Sequence, residues 1–242
     1  MSKRLTLVDG EAPFPPLHTA LREPNGLLAV GGDLSPSRVL RAYSAGIFPW
    51  YGEDDPILWW SPDPRAVFEV DSWQANRALR RCLRTHGFRV TLNYAFDRVI
   101  HHCATQPRAG QDGTWITREM LHAYKQLFYQ GFGFSVEVWD EQTLVGGLYG
   151  LHIGHMCFGE SMFSQKEGAS KFAIHALLQH LKNFDLPLLD AQVGNEHTRM
   201  LGTTLISRER YMTKMTPLLS RPLEKSMWQP QELSYQATGS NL

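Results

Sequence analysis

Two apolar runs, His155 to Phe163 and Pro187 to Val193, read as buried strands, yet each carries polar groups where a core strand should have none. Glu160 stands in the first, and Asp190 and Gln192 in the second. A carboxylate taken out of water needs a partner or a task. An acid on one strand and an Asp-x-Gln on the next can converge on a single pocket, and residues two apart on a strand face the same side. The chemistry open to such a set is positioning and hydrogen bonding, because a neutral amide is a poor base. No Cys/His or Ser/His pair accompanies it, which is a difficulty for a hydrolase. Cys82, Cys103 and Cys157 are odd in number and lack CxxC or CxxH spacing, so they read as reduced thiols, and no metal site is expected.

The first run is the last of three strands. FGFSVEVW, TLVGGLYGLH and HMCFGESMF are joined by short turns and predict an antiparallel meander. A helix is expected from Ser164 to about Lys182, then the strand PLLDAQV, then a short helix capped by Asn195 and ending near Gly202. From Ser207 the chain reads as helical, and the last fifteen or so residues as a loose tail. Upstream, FRVTL over residues 88–92 alternates as a strand, and Asn93 can cap a helix to about His102. A loop from Thr105 to Gly113 leads through Gly113-Thr114-Trp115-Ile116-Thr117 into a helix with Met120, Leu121, Tyr124, Leu127 and Phe128 on its apolar face.

Ser72 is expected to cap a helix running to about Arg84. Arg77, Arg80, Arg81 and Arg84 share one face of it without an interleaved acid. That face is either a solvated surface or a phosphate site. Residues 1–65 differ in texture, being rich in Pro, Gly and Trp, with one clear helix in SPSRVLRAYSAG between Ser35 and Gly46. A small N-terminal domain over 1–65 and a larger domain over 66–242 are therefore expected. Trp59 and Trp60 suit a satellite core, whereas Trp50, between a proline and a Tyr-Gly turn, suits an exposed stacking surface. Trp115 fits a core anchor or a platform for a base equally well.

Composition sets outer bounds. The 242 residues are 43% hydrophobic and 20% charged, which is not the signature of disorder. A formal net charge of zero argues against a histone-like nucleic-acid binder but permits a local basic patch. No run reaches signal-peptide or membrane-span length, so a cytoplasmic protein without membrane association is expected, and a monomer.

The order strand, helix, helix, three-strand meander, helix, strand, helix resembles the acetyltransferase-like (GNAT-type) fold, an α+β domain with a mixed sheet. Gln165-Lys166-Glu167-Gly168-Ala169-Ser170 partly matches the phosphate loop of acetyl-coenzyme A enzymes. Glu167, however, puts a negative charge where a pyrophosphate would lie. More specific blocks follow one another in register: REPNGLLAVGGDLSPSRVLRAYSAGIFPW, DPILWWSPDPRAV, GTWIT, LVGGLYG, FGESMFS and LLDAQVGNEHTRMLG. Together they resemble the bacterial leucyl/phenylalanyl-tRNA–protein transferase family over residues 21 to about 212.

The resemblance implies transfer of Leu, Phe or Met from aminoacyl-tRNA to the N-terminal Arg or Lys of a protein, marking it for N-end-rule degradation. The partners implied are aminoacyl-tRNA and such proteins. No cofactor is required, because an aminoacyl ester is already activated and positioning supplies much of the barrier reduction. By the same resemblance Asp190 and Gln192 are the catalytic pair, Asp190 orienting the Gln192 amide toward the attacking amine. Glu160 holds the donor's α-amino group, and Leu148, Cys157, Leu177 and Leu189 form its apolar slot. Trp50 and Trp115 contact the terminal adenosine, and Arg77, Arg80, Arg81 and Arg84 meet acceptor-stem phosphates. Two alternatives stand beside this reading: an acetyl-CoA-dependent N-acetyltransferase, and a non-catalytic adaptor for basic N-termini.

Overall fold

The computed structural model describes residues 5–10, 12–85, 87–106 and 116–235. Two sheets organise them. The smaller has the order β1-β2-β4-β3, built from β1 (Thr6–Val8), β2 (Leu27–Gly31), β3 (Phe48–Pro49) and β4 (Leu58–Trp60), with α1 (Pro36–Ser44) between β2 and β3. Its core holds Leu28, Ala29, Ile47 and a fully buried Trp59, whose indole N–H donates to the Gly31 carbonyl at 2.8 Å. Gly46, in the left-handed region at φ 75°, ends α1 as its position implies.

The larger sheet has eight strands in the order β11-β5-β10-β9-β8-β7-β6-β12. The chain supplies β5 (Arg65–Glu69), α2 (Arg77–Thr85), β6 (Arg89–Leu92), α3 (Phe96–Thr105) and α4 (Arg118–Tyr129), then the meander β7 (Gly133–Asp140), β8 (Thr143–Ile153) and β9 (Met156–Ser164). After it come α5 (Ala169–Asn183), β10 (Leu188–Gln192), α6 (Glu196–Met200), β11 (Thr204–Ile206), α7 (Arg208–Met215) and β12 (Gln231–Glu232). The meander is antiparallel as predicted, and β10 returns through α5 to pair with β9 in parallel. The sheet is mixed, in an α+β chain.

Apolar cores cover both faces. On one side α5 packs so closely that a Cβ on Gly146 of β8 would lie 2.5 Å from the Ala169 Cβ, which is why glycine stands there. Leu148, Cys157, Leu177 and Leu189 belong to this core. On the other side Tyr43 of α1, Val99 of α3, Tyr124 of α4 and Tyr211 of α7 pack with Phe158 and Leu188. Thr117 caps α4 by accepting the Met120 N–H, and Asn195 caps α6 in a reciprocal capping box with Thr198.

Three expectations are corrected. Ser72 does not cap α2: its hydroxyl turns back to the Glu69 carbonyl, the helix starts five residues later, and Asn76 accepts the Leu79 N–H. Asn93 does not cap α3. It sits in the left-handed region at φ 58° and ties the Ser135 N–H to the Trp228 carbonyl. Finally, residues 228–235 are docked instead of loose: Trp228 stacks on Phe134 and His152, β12 pairs with β6, and the Tyr235 hydroxyl donates to the Phe88 carbonyl.

Candidate functional site

Glu160, Asp190 and Gln192 do converge, and two backbone irregularities aim them. Tyr149 pairs with Ser161 and Gly150 with Gly159, so Glu160 is the extra residue of a β-bulge. On β10, Asp190 faces Val67 and Gln192 faces Ala66, leaving Ala191 as a second bulge residue. Gln192 itself takes φ 61°, a conformation of some cost for a residue with a Cβ. The parallel pairing of β9 and β10 covers Cys157–Leu189 and Phe158–Asp190. One step further on, Glu160 and Gln192 meet through side chains: the Gln192 amide donates to Glu160 Oε1 at 2.9 Å.

Asp190 is fully buried and holds a buried Arg65 in a two-pronged ion pair, Nε to Oδ1 at 2.9 Å and a terminal nitrogen to Oδ2 at 2.6 Å. Tyr211 donates to Oδ2 at 2.8 Å. The fourth donor is the backbone N–H of Gln192 at 2.8 Å. Asp190 therefore orients Gln192 through its backbone and does not touch the side-chain amide, because the bulge swings that amide toward Glu160. Burial alone would lower the Arg65 pKa, but the Asp190 charge overrides it and the guanidinium is held charged. Arg65 is also gripped between the rings of Phe48 and Tyr211.

Glu160 accepts a second hydrogen bond from the Tyr124 hydroxyl at 2.9 Å, and Tyr43 lies 2.6 Å from that hydroxyl. Burial first, and then the Glu160 charge, push the Tyr43 and Tyr124 phenols well above their ordinary values, so both stay protonated. With the Tyr124 proton used on Glu160, Tyr43 donates to Tyr124. Burial likewise pushes the Glu160 carboxyl up to about 7. A continuous hydrogen-bonded chain thus runs Tyr43, Tyr124, Glu160, Gln192, Asp190, with Arg65 and Tyr211 closing its far end. It can hold a cationic amine beside Glu160 and place an amide next to it. Among the described residues, no cluster of His, Cys, Asp and Glu could hold a metal ion.

The four apolar candidates are brought together, with Leu189 directly opposite Cys157, and all four are buried. They lie across the sheet from Tyr124 and Tyr211, in the core on the α5 side. Trp50 is 41% exposed and stands edge-on to Trp60. Trp115 lies outside the described residues, as does most of the predicted loop from Thr105 to Gly113. Tyr51, next to Trp50, shares a weak hydrogen bond with Thr117, the N-cap of α4, at 3.4 Å. Arg77, Arg81 and Arg84 line a cleft of about 790 Å³ with Lys171, Glu167 and Gly168 at the start of α5, and Arg80 does not. Among the described residues none of the four arginines is in an ion pair.

Arg65, Tyr43, Tyr124 and Tyr211 were not singled out by sequence reasoning. For Arg65 a signal existed, since a charged residue opens the otherwise apolar strand RAVFE. The sequence places Tyr124 only on the apolar face of its helix, and nothing in it sets Tyr43 or Tyr211 apart from other aromatics.

A family profile described as leucyl/phenylalanyl-tRNA protein transferase matches residues 67–216, and one described as the N-terminal domain of the same transferase matches residues 32–63. A leucyl/phenylalanyl-tRNA–protein transferase from Xanthomonas axonopodis pv. citri (strain 306) is 51% identical over 220 residues, covering 91% of this chain and 88% of that protein. One from Shewanella denitrificans (strain OS217 / ATCC BAA-1090 / DSM 15013) is 47% identical over 231 residues, covering 96% and 98%. Among solved structures, L-PGS from Bacillus licheniformis aligns with 85% of this chain and 65% of that one, at 11% identity and a TM-score of 0.38, too slight a likeness to assign a fold.

Proposed function

This chain belongs to the leucyl/phenylalanyl-tRNA protein transferase family, and from that premise we propose that it moves Leu, Phe or Met from aminoacyl-tRNA to the N-terminal Arg or Lys of acceptor proteins. The product is then a substrate for N-end-rule degradation. The observation that carries the site is the Gln192–Glu160 hydrogen bond at the point where β9 and β10 cease to pair. An ester placed in that gap would have its amino group at Glu160 on one side. Its side chain would enter the Leu148, Cys157, Leu177 and Leu189 core on the other.

Glu160 is then the holder of the donor α-amino group. Its carboxyl sits near 7 in the free protein, and an arriving ammonium favours the ionised form. Gln192 positions the attacking amine, and Asp190 fixes the Gln192 backbone while carrying negative charge into the site against Arg65. Transfer between an activated ester and a held amine needs little more, since effective molarity can contribute roughly 7–11 kcal/mol. Trp50 and Trp115 are the stacking surfaces for the terminal adenosine. Arg77, Arg81 and Arg84, together with Arg80, face the acceptor-stem phosphates.

The acetyltransferase-like reading of the larger sheet is likewise a proposal. It is supported by the β9–α5–β10 parallel unit and by Gly168, at φ 80°, starting α5 beside the cationic cleft. The division of the chain at residue 65 is supported by the change from one sheet to the other between Trp60 and Arg65.

The experiment is to offer labelled leucyl-tRNA or acetyl-coenzyme A with an Arg-initiated acceptor. Label should reach the acceptor from leucyl-tRNA alone. Transfer from coenzyme A alone would overturn the reading, and binding of the acceptor without turnover would make the protein an adaptor. Arg81→Ala and Arg84→Ala should each reduce the salt slope of tRNA binding by about one phosphate's worth.

A further inference from the structure

We propose that Trp73 and Asn76 form a clamp that couples phosphate engagement on α2 to the placement of Gln192 and Asp190. They would be positioning residues for transfer from tRNA. The inference rests on α2 being the phosphate-facing helix, as proposed above.

Asn76 has two jobs. Its Oδ1 accepts the Leu79 N–H at 2.8 Å, capping α2, and its Nδ2 donates to the Met200 carbonyl at 2.9 Å. Three residues earlier, the Trp73 indole N–H donates to the Leu201 carbonyl at 2.9 Å. Both acceptors lie at the C-terminal end of α6, where carbonyls have no partner within their own helix. The chain turns at once through Gly202, at φ 98°, where a Cβ would come within 2.7 Å of the Trp73 Nε1. The contact is thus close as well as directional.

The segment so gripped joins β10, which carries Asp190 and Gln192, to β11, which pairs with the strand of Arg65. Upstream, α6 starts at its Asn195 cap, three residues beyond Gln192. Downstream, β11 pairs with β5, placing Ile206 opposite Arg65, the partner of Asp190. Displacing α6 therefore pulls on the left-handed backbone of Gln192 from one end and on the Arg65 strand from the other.

α2 supplies the input. Its arginines recur at three- and four-residue spacing, where like charges oppose helix formation until counter-charge arrives. Phosphates in the cleft lined by Arg77, Arg81 and Arg84 would supply it. A firmer α2 presents Asn76 and Trp73 in fixed positions, and the two hydrogen bonds pass that order to α6. A donor without phosphates would not use the device.

The test is the double variant Asn76→Ser with Trp73→Phe. Serine retains the capping oxygen without adding charge but is shorter than the Asn76 amide that reaches the Met200 carbonyl, and phenylalanine retains an aromatic ring without a donor. Single-turnover transfer to an Arg-initiated peptide is measured at saturating leucyl-tRNA and at saturating 3′-leucyl-adenosine, with thermal unfolding as a check on folding. The rate from leucyl-tRNA should fall about tenfold, the scale of one to two hydrogen bonds, while that from leucyl-adenosine moves by less than about twofold. The salt slope of leucyl-tRNA binding should be unchanged. Equal falls on both donors, or no fall on either, overturn the coupling. If Arg81→Ala with Arg84→Ala leaves the wild-type salt slope intact, the phosphate reading of α2 fails and the coupling with it; a reduced slope beside equal rate losses overturns the coupling alone.

Discussion

Glu137 and Glu160 are both buried carboxylates of the central sheet, on β7 and β9, and their surroundings differ in a way that separates structure from chemistry. Glu137 accepts four hydrogen bonds: from the Thr91 and Ser135 hydroxyls at 2.5 Å each, and from the backbone N–H groups of Tyr94 and Ala95 at 3.3 and 3.2 Å. Burial raises its pKa, and those four donors counter the rise. It closes the N-terminal approach to α3 and has no capacity left. Glu160 by contrast takes its donors from side chains alone, Gln192 of β10 and the hydrogen-bonded tyrosine pair Tyr124 and Tyr43 of α4 and α1, and it stands at a bulge. Burial moves its carboxyl further, to about 7. Four donors, two of them backbone N–H groups, make a carboxylate a fixture, whereas side-chain donors alone leave it able to exchange a proton or accept a ligand.

The largest effect should come from Asp190, which shares features of both. Asp190→Ala strands the buried Arg65 charge and should cost about 3–5 kcal/mol in denaturant-monitored stability; a loss below about 1 kcal/mol would remove Asp190 from the structural side of the comparison. Next, Glu160 should make stability depend on pH. Its folded pKa is raised, so its stabilising contribution is complete below its ordinary value of 4.5 and is lost as pH rises through about 7. Between pH 4.5 and 8, wild type should lose on the order of 3 kcal/mol relative to Glu160→Gln, and parallel stability curves would contradict that. Glu137→Gln should cost about 1–3 kcal/mol of stability, since it turns an acceptor into a donor facing donors, with the transfer rate of folded protein unchanged. The smallest effect is a limb in kcat/KM: activity rises with pH through about 7 as Glu160 ionises, and the limb should be absent from Glu160→Gln.

Much of this was legible in the sequence. The meander, α4 and α6 follow from strand alternation, the apolar face of α4 and the Asn195 cap, and Glu160, Asp190 and Gln192 stood out as polar residues inside apolar strands. What escaped was set by distant partners. Strands of two to five residues among the turns of the first sixty are fixed by each other's pairing and leave little periodicity to read. Asn93 looked like a cap, but its side chain is claimed by Ser135 and Trp228. The two bulges changed which group of Gln192 Asp190 holds, because an inserted residue turns the strand in a way alternation does not register. Arg65 pairs with a residue 125 positions away.

The most direct test of the central claim, that the Glu160–Gln192–Asp190 cluster is where the aminoacyl group moves, is single-turnover transfer from leucyl-tRNA to an Arg-initiated peptide by Glu160→Gln and Glu137→Gln, both at a temperature where they are folded. Glu160→Gln should be slower by about 10²-fold and Glu137→Gln within about twofold of wild type. Equal rates for the two variants would contradict the account.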